Sequence, residues 1–368
     1  MRKTFKYRLY PTKSQSHLLG HTLDECRWLY NQTLEYRQRA WKEHQESISL
    51  YDTNRLLPAW KQERPSLTRV YSQVFLNVQM RVDLAFKAFF RRVKAGEQPG
   101  YPRFRGEGRY DSFTYTQFGF GLKDGKLHLA KIGDIGIVLH RPLEGKVKTL
   151  TIRRTPTGKW FACFSCEVEL QPLLENAESV GIDVGLTAFA TLSTGEKIAN
   201  PHFFRTDEKA LAKAQRKLSK AVKGTPERHK RRKVVAHIHE RTANRRRNFA
   251  HQVSRQIVNR FGLIFVEDLQ VSRMVHNHCL AKSIMDAAWS EFFTFLGYKA
   301  AWAASRTFAP QNPAYTTQDC CRCGHRQVMP LSERVFNCPC CGNAMDRDHN
   351  SACNLQTRGL ASLAASAA

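Results

Sequence analysis

Two close pairs of cysteines constrain the fold of this chain more than any other feature. Cys320 and Cys323 form one C-x-x-C pair, and Cys338 and Cys341 form the second after 14 intervening residues. Four thiolates in this arrangement match the tetrahedral coordination of Zn²⁺, and a glycine directly after each pair supplies the backbone freedom that such a turn needs. Four sulfur ligands leave no open position on the ion. We therefore predict one structural Zn²⁺.

Two further cysteines, Cys321 and Cys340, offer rival ligands within the same segment. Six of the 11 cysteines lie between Cys320 and Cys341, and this crowding in a reduced compartment indicates metal binding rather than disulfides. We favour Cys323 and Cys341 over their neighbours because only these two are followed directly by glycine.

The charge of the chain predicts an anionic partner. The 368 residues include 58 Lys and Arg against 32 Asp and Glu, a net charge of +26. The length suggests two or three domains with at least one sizeable core. Nucleic acid fits the charge best, because many separated cations gain by releasing counterions from a phosphate backbone. No window approaches the ~18 apolar residues of a membrane helix, and no apolar stretch follows the charged start. We therefore expect a cytoplasmic protein without a membrane partner.

The first half of the chain changes its hydrophobic period twice. Residues 3–10 alternate as a half-buried strand, whereas residues 14–41 and 82–93 repeat at three- and four-residue steps as amphipathic helices. Residues 113–170 return to short alternating segments separated by turn signals. These patterns predict a small antiparallel barrel that includes the first strand, with a helical block inserted after that strand.

A basic helical segment interrupts a second set of strands. Residues 180–198 indicate two adjoining strands, and residues 261–269 indicate another that ends in acids. Between them, Arg205 to Arg247 holds 16 Lys and Arg against 4 Asp and Glu, with a break at residues 224–226. We predict a helical hairpin that contacts phosphates. The candidate contact residues are Arg231, Arg232, Lys233, Arg245, Arg246 and Arg247.

Three groups of acids are candidate ligands for divalent cations. Asp183 lies within an apolar strand, Glu267 ends another, and Asp346 and Asp348 precede a predicted helix. A buried acid is costly unless a cation compensates it. Hard divalent cations prefer carboxylate oxygens, and two such ions about 4 Å apart can hold both oxygens of a phosphodiester displacement. Two simpler interpretations remain open: Asp183 can face the surface, and the Asp346 group can cap a helix.

A series of short motifs runs along the chain in order: RLYP at 8–11, RWLYN at 27–31, GYPRF at 100–104, GIDVG at 181–185, VEDL at 266–269, Asp286 with Trp289, the two C-x-x-C-G pairs, and DRDHN at 346–350 with Asn354. Together these motifs resemble the TnpB family, the transposon-encoded RNA-guided nucleases related to type V CRISPR effectors. The resemblance covers essentially the whole chain, although any single motif is weak.

The resemblance implies a multidomain α/β fold. It consists of a wedge-type β-barrel at residues 1–11 and 109–175, interrupted by a helical recognition segment at 12–108. A RuvC-like nuclease domain of RNase H fold follows at residues 176–312 and 343–368. A zinc ribbon at residues 313–342 interrupts this second domain.

The resemblance also implies a function and a catalytic set. In the family the catalytic carboxylates correspond to Asp183, Glu267 and Asp348 here, with Asp346 as the alternative to Asp348. The resemblance implies two catalytic Mg²⁺ ions and a guide RNA made from the transposon end. It also implies cleavage of double-stranded target DNA beside a transposon-associated motif, in a prokaryotic cytoplasm at the nucleoid. Two alternatives remain open: a transposase or transposition regulator, and an RNA-guided repressor that binds DNA without cutting.

Overall fold

The computed structural model describes residues 1–170, 172–330 and 332–367. The chain folds as two compact units, Met1–Glu169 and Leu170–Ala368. No helix among the described residues is long and apolar enough to cross a membrane. The architecture is α/β, with a β-barrel sheet in the first unit and a cysteine cluster in the second.

The first unit is built on a seven-stranded antiparallel sheet that rolls into a nearly closed barrel. Its strands are β1 (Arg2–Tyr10), β2 (Ser112–Tyr115), β3 (Phe120–Lys123), β4 (Lys126–Leu129), β5 (Gly133–Val138), β6 (Lys146–Arg154) and β7 (Trp160–Glu167). Their order in the sheet is β2-β6-β7-β1-β5-β4-β3. Because Phe5, Tyr7 and Leu9 alternate with polar residues, β1 turns one face into the core, where all three side chains are fully buried. The predicted first strand, and its place in the sheet, are confirmed.

Helices occupy the chain between β1 and β2. They are α1 (Lys13–His44), α2 (Leu50–Arg55), α3 (Leu57–Glu63), a 3-10 helix (Pro65–Arg69) and α4 (Ser72–Lys94). Thr12 starts α1 with a capping box, in which its hydroxyl accepts from the Gln15 amide and the Gln15 side chain accepts from the Thr12 amide. The predicted apolar face of α1 is buried. Both predicted helices are present, as α1 and within α4, although on α4 only Val82 and Phe86 of the predicted apolar face are buried and Val93 is exposed.

The second unit is built on a five-stranded mixed sheet in the order β10-β9-β8-β11-β12. Its strands are β8 (Ser179–Val184), β9 (Ala188–Leu192), β10 (Lys197–Ala199), β11 (Leu263–Glu267) and β12 (Thr307–Gln311). The other elements of this unit are α5 (Phe203–Ser219), α6 (Pro226–Arg260), α7 (Val271–Met274), α8 (His278–Ala287), α9 (Trp289–Ala303), the short hairpin β13 (Val335–Asn337) and β14 (Ala344–Asp346), and α10 (Arg347–Ala367). Strand β8 pairs antiparallel with β9 and parallel with β11. The strand predicted at 261–269 is confirmed. Residues 180–198, predicted as two adjoining strands, form three, because the chain bends at residues 185–187 between β8 and β9.

Helix α10 lies directly against this sheet because glycine occupies the contact points. A Cβ atom on Gly181 of β8 would collide with the carbonyl oxygen of Ala352 and lie 2.7 Å from the amide nitrogen of Gln356. On the helix side, a Cβ on Gly359 would collide with the ring of Phe265 in β11. This close approach brings the first turns of α10 beside the ends of β8 and β11.

Helices α5 and α6 form the predicted basic hairpin. Thr225 caps the start of α6, and Pro226 fills its first position, where no amide donor is needed. The buried carboxylate of Asp207 on α5 accepts hydrogen bonds from the Thr242 hydroxyl at 2.8 Å and from the Arg241 guanidinium. A buried carboxylate with cationic and hydroxyl partners fixes the two helices side by side.

Candidate active site and cysteine cluster

Asp183 and Glu267 lie at the ends of two neighbouring parallel strands. The register pairs Ile182 of β8 with Val266 of β11, so the next residues of both strands stand side by side on one face of the sheet. Both side chains are buried, with 7% and 8% exposure. Their carboxyl groups are hydrogen-bonded to one another.

Asp348 completes the group from the first turn of α10. Its negative charge acts on both Asp183 and Glu267, and raises the pKa of each. One oxygen of Asp348 lies 3.4 Å from the guanidinium of Arg347. The structure thus brings together the three acids expected from the sequence, which are separated by up to 165 positions in the chain.

Burial and mutual repulsion make the carboxyl groups of Asp183 and Glu267 harder to ionise. Burial raises the pKa of Asp183 well above its usual value, and the charges of Glu267 and Asp348 raise it further. Burial also raises the pKa of Glu267 to about 7, although hydrogen bonds from Thr316 and Asp183 lower it. Without a cation, both carboxyl groups are therefore harder to ionise than isolated ones.

This donor set fits hard divalent cations. Three carboxylates whose ionisation is suppressed by burial and mutual repulsion would all gain from a positive ion between them. Among the described residues, only the cysteine cluster has ligand atoms that all lie within 4.8 Å of one another.

Asp346, the alternative to Asp348, has other partners. One of its oxygens accepts from the amides of Asp348 and His349, both at 3.1 Å, and so caps the start of α10. The other accepts from Lys197 Nζ at 2.5 Å. Burial would raise the pKa of Asp346, but the Lys197 ammonium and the helix amides hold it below its usual value. Its carboxylate is therefore a helix cap with an ion pair.

The four expected cysteines form one cluster. Cys320 Sγ lies 3.6 Å from Cys341 Sγ, and Cys323 Sγ lies 3.6 Å from Cys338 Sγ. Zn–S bonds of about 2.3 Å place tetrahedral sulfurs about 3.8 Å apart, so the donor set fits Zn²⁺. Burial alone would raise the pKa of the Cys320 thiol, but the amides that follow it in the knuckle lower that pKa to about 6.

The two rival cysteines lie outside this cluster: among the described residues, the four sulfurs within 4.8 Å of one another are those of Cys320, Cys323, Cys338 and Cys341. Cys321 Sγ lies 3.5 Å from the sulfur of Met345 instead. Gly324 and Gly342 adopt φ values of 73° and 69°, the left-handed conformation for which glycine was expected at these turns.

Of the six residues predicted to contact nucleic acid, four have partners within the protein and two are exposed. Arg246 donates to the carbonyl oxygen of Met285 at 2.6 Å, and Arg247 donates to Glu291 at 2.8 Å, so both tie α6 to neighbouring helices. Arg245 stacks on Phe203 and lies 3.9 Å from Asp207. Arg231 pairs with Glu227, whereas Arg232 and Lys233 are exposed. The last two residues are the most available for an external phosphate.

Sequence reasoning missed two hydroxyl groups that contact the carboxylates. Ser351 Oγ donates to Asp183 Oδ1 at 3.2 Å, and Thr316 Oγ1 lies 3.4 Å from Glu267 Oε1. Both residues are buried. Ser351 lies three residues after Asp348, so helical spacing could have placed it on the same face. No comparable signal marks Thr316.

Family models match three parts of the chain. Residues 163–278 match a model described as a probable transposase, and residues 289–355 match the TNB domain of Cas12f1-like proteins. Residues 1–46 match a helix-turn-helix domain of the first group.

Full-length relatives define the family. The chain is 37% identical to a putative RNA-guided DNA endonuclease of Streptomyces pristinaespiralis, over 99% of this chain and 91% of the relative. It is 30% identical to the putative RNA-guided DNA endonuclease InsQ of Escherichia coli K12, over 98% and 93%. The chain therefore belongs to the TnpB family.

Two solved structures share the fold at low sequence identity. A cryo-EM structure of a Cas12f1-sgRNA-target DNA complex aligns with a TM-score of 0.60 and 14% identity, over 94% of this chain and 83% of that one. The mini-RNA-guided endonuclease CRISPR-Cas_phi3 aligns with a TM-score of 0.51 and 8% identity, over 98% and 92%. At these identities the likeness concerns the fold alone.

Proposed function

We propose that this chain is an RNA-guided DNA endonuclease encoded by a mobile element. The observation that carries the proposal is the convergence of Asp183, Glu267 and Asp348 at one edge of the second sheet. The two relatives that define the family are both named as putative RNA-guided DNA endonucleases. A net charge of +26 supports binding to both RNA and DNA. We propose that the protein acts in the cytoplasm, at the nucleoid.

We assign the domains as the resemblance predicts. The wedge barrel comprises residues 1–11 and 109–175, with a helical recognition segment at 12–108. The RuvC-like nuclease of RNase H fold comprises residues 176–312 and 343–368, with a zinc ribbon at 313–342. In this assignment one structural Zn²⁺ is held by Cys320, Cys323, Cys338 and Cys341.

Asp183, Glu267 and Asp348 would together hold two Mg²⁺ ions. Bound there, the ions would lower the pKa of an attacking water and offset the charge that develops on the phosphodiester. A nearby cation would also favour the ionised forms of Asp183 and Glu267, whose pKa values burial raises. Their burial excludes bulk water from the reacting centre, and the resulting ends would be a 5′-phosphate and a 3′-hydroxyl.

Both the guide RNA and the basic residues of the protein would contribute to recognition of the target DNA. Base pairing between the guide RNA and the target strand would read sequence, while protein contacts would read backbone shape and a short transposon-associated motif. On the α5–α6 hairpin, the exposed Arg232 and Lys233 are the first candidates for phosphate contact. The guide would derive from the transposon end.

The test is reconstitution of the full-length protein with RNA transcribed from its own locus and a matching DNA duplex. We expect Mg²⁺-dependent cleavage that Asp183→Ala, Glu267→Gln and Asp348→Asn each abolish. The matched control is Asp346→Asn, which removes a neighbouring carboxylate that serves as a helix cap, and which should keep most of the activity. Cleavage that persists in Asp183→Ala would refute the assignment.

One alternative function has support from the comparisons. The model that matches residues 163–278 is described as a probable transposase, and strand transfer can use the same set of acids on metal ions. Analysis of the DNA products in the reconstitution separates the two functions. Cleaved ends without joining support the nuclease, whereas covalent insertion of transposon DNA supports the transposase. Tight binding that leaves the duplex intact indicates an RNA-guided repressor.

A further inference from the structure

One face of helix α10 holds the segment that leads into the cysteine cluster, residues 312–320, which we call the entry segment. Asn350 donates to the carbonyl oxygen of Asp319 at 2.7 Å and accepts from the amide of Cys321 at 3.0 Å. Asn354 donates to the same Asp319 oxygen at 2.7 Å and to the carbonyl oxygen of Thr316 at 2.8 Å. A spacing of four residues puts both side chains on one helix face.

Arg358 continues this face one further turn along the helix. Its guanidinium donates to the carbonyl oxygens of Asn312 and Ala314 at 3.1 and 2.7 Å, and to Asp319 Oδ2 at 2.8 Å. The entry segment has little regular secondary structure. Side chains of α10 therefore satisfy the backbone oxygens of Asn312, Ala314, Thr316 and Asp319, which fixes the path of the segment.

The entry segment carries a hydroxyl to Glu267. Thr316 is 2% exposed, and its Oγ1 lies 3.4 Å from Glu267 Oε1 and 3.0 Å from the carbonyl oxygen of Pro313. A threonine hydroxyl has one proton to donate. When Glu267 is ionised, it is the stronger acceptor, because a hydrogen bond to a charged oxygen is roughly twice as strong as one to a neutral oxygen.

The same helix carries a second hydroxyl to Asp183. Ser351 is fully buried, and its Oγ donates to Asp183 Oδ1 at 3.2 Å. Asp183 and Glu267 thus each have a hydroxyl partner supplied by, or held by, α10. A carboxylate fixed in this way keeps its remaining oxygen lone pairs in a set direction.

We propose that Thr316 and Ser351 are positioning residues for the metal-binding carboxylates, and that Asn354 acts through Thr316 by holding the entry segment in place. This inference rests on the proposed function and adds to it, because it assigns a role to residues outside the catalytic set. It also links the cysteine cluster to Glu267, because the entry segment that carries Thr316 ends at Cys320. Partners of this kind commonly change metal affinity by about 10 to 100-fold.

The experiment measures Mn²⁺ binding to the full-length protein by electron paramagnetic resonance, with Asp183→Ala as the background. Thr316→Val keeps the shape of the side chain but removes the hydroxyl, and Thr316→Ser restores it. We expect about 10-fold or greater loss of Mn²⁺ affinity in the valine variant and recovery in the serine variant. Thr317→Val, which alters the neighbouring threonine, is the matched control and should bind as the parent does.

A second measurement tests transmission through Asn354. We expect Asn354→Leu to weaken Mn²⁺ binding, and its combination with Thr316→Val to be no weaker than the valine variant alone, because the two residues act in series. Cleavage by the reconstituted complex should require more Mg²⁺ in both variants, with kcat at saturating Mg²⁺ close to that of the parent. The Zn²⁺ content should stay unchanged.

The outcomes separate this inference from the proposed function. A parent protein that binds no more Mn²⁺ than Asp183→Ala overturns both. Parent binding that Thr316→Val leaves unchanged overturns the inference alone. A serine variant as weak as the valine variant also overturns it, because the loss would then follow the missing methyl group rather than the hydroxyl.

Discussion

We expect the ionisation of Glu267 to lower the free energy of unfolding of the metal-free protein as the pH rises. The pKa of Glu267 is raised from 4.5 to about 7, first by burial. Its folded state therefore resists ionisation that the unfolded chain undergoes freely. The sign follows: the contribution of Glu267 to stability is complete below pH 4.5 and is lost progressively as the pH rises to about 7.

Glu267→Gln isolates this effect, because glutamine resembles the protonated acid and does not titrate. Each pKa unit is worth about 1.4 kcal/mol, and about 1.5 units of the shift lie above pH 5.5. We expect the variant to gain about 2 kcal/mol on the parent between about pH 5.5 and about pH 7.5. For a unit of this size, that difference amounts to roughly 4–8 °C in the Tm of the second unit.

The assay is thermal unfolding of both proteins across this pH range in Mg²⁺-free buffer that leaves Zn²⁺ bound. Both proteins carry the same cysteine cluster, so its own pH dependence cancels in the comparison. Added Mg²⁺ should raise the Tm of the parent more than that of Glu267→Gln. A difference in Tm that stays constant across the pH range would show that Glu267 titrates normally and would refute the reasoning.

Three further predictions concern the cluster, the helix contact and the hairpin. Cys338→Ser should release Zn²⁺, measured by elemental analysis, whereas Cys340→Ser should retain it. Gly181→Ala should lower stability by about 1–3 kcal/mol and reduce cleavage, since the new methyl group pushes α10 off the sheet, whereas Gly121→Ala, which meets open space, should change neither. Arg232→Glu should weaken RNA binding and flatten its salt dependence, measured by filter binding at several salt concentrations.

The sequence predicts helices and strands well in segments where apolar residues recur with a single period. The alternation in β1 and the helical repeat in α1 each reflect one buried face, which a single segment reveals by itself. The hairpin break was equally local, because Thr225 and Pro226 are start signals for α6. The spacing of the cysteines likewise fixed the cluster, since four thiols in two pairs have few other uses.

The contacts between elements could not be predicted in the same way. The hydrogen bonds that Arg246 and Arg247 make to α8 and α9, about 40 positions away along the chain, leave no mark in the local sequence, and their predicted phosphate contacts stay predictions. Charge patterning counts the residues of one segment and does not see acids or carbonyls on another. The hydroxyl of Thr316 was missed for the same reason: its acceptor, Glu267, belongs to a strand 49 positions earlier.

Residues at the site also depart from the usual sequence preferences of strands, helices and buried cores. Three carboxylates packed together, a buried hydroxyl in the second turn of α10, and a glycine within β8 each weaken the local element that contains them. Each departure is reasonable under the proposed function: Gly181 lets α10 approach, the approach brings Asp348 and Ser351 to Asp183, and bound cations would offset the repulsion. The suppressed ionisation of Asp183 and Glu267 would then be the counterpart of an affinity for metal.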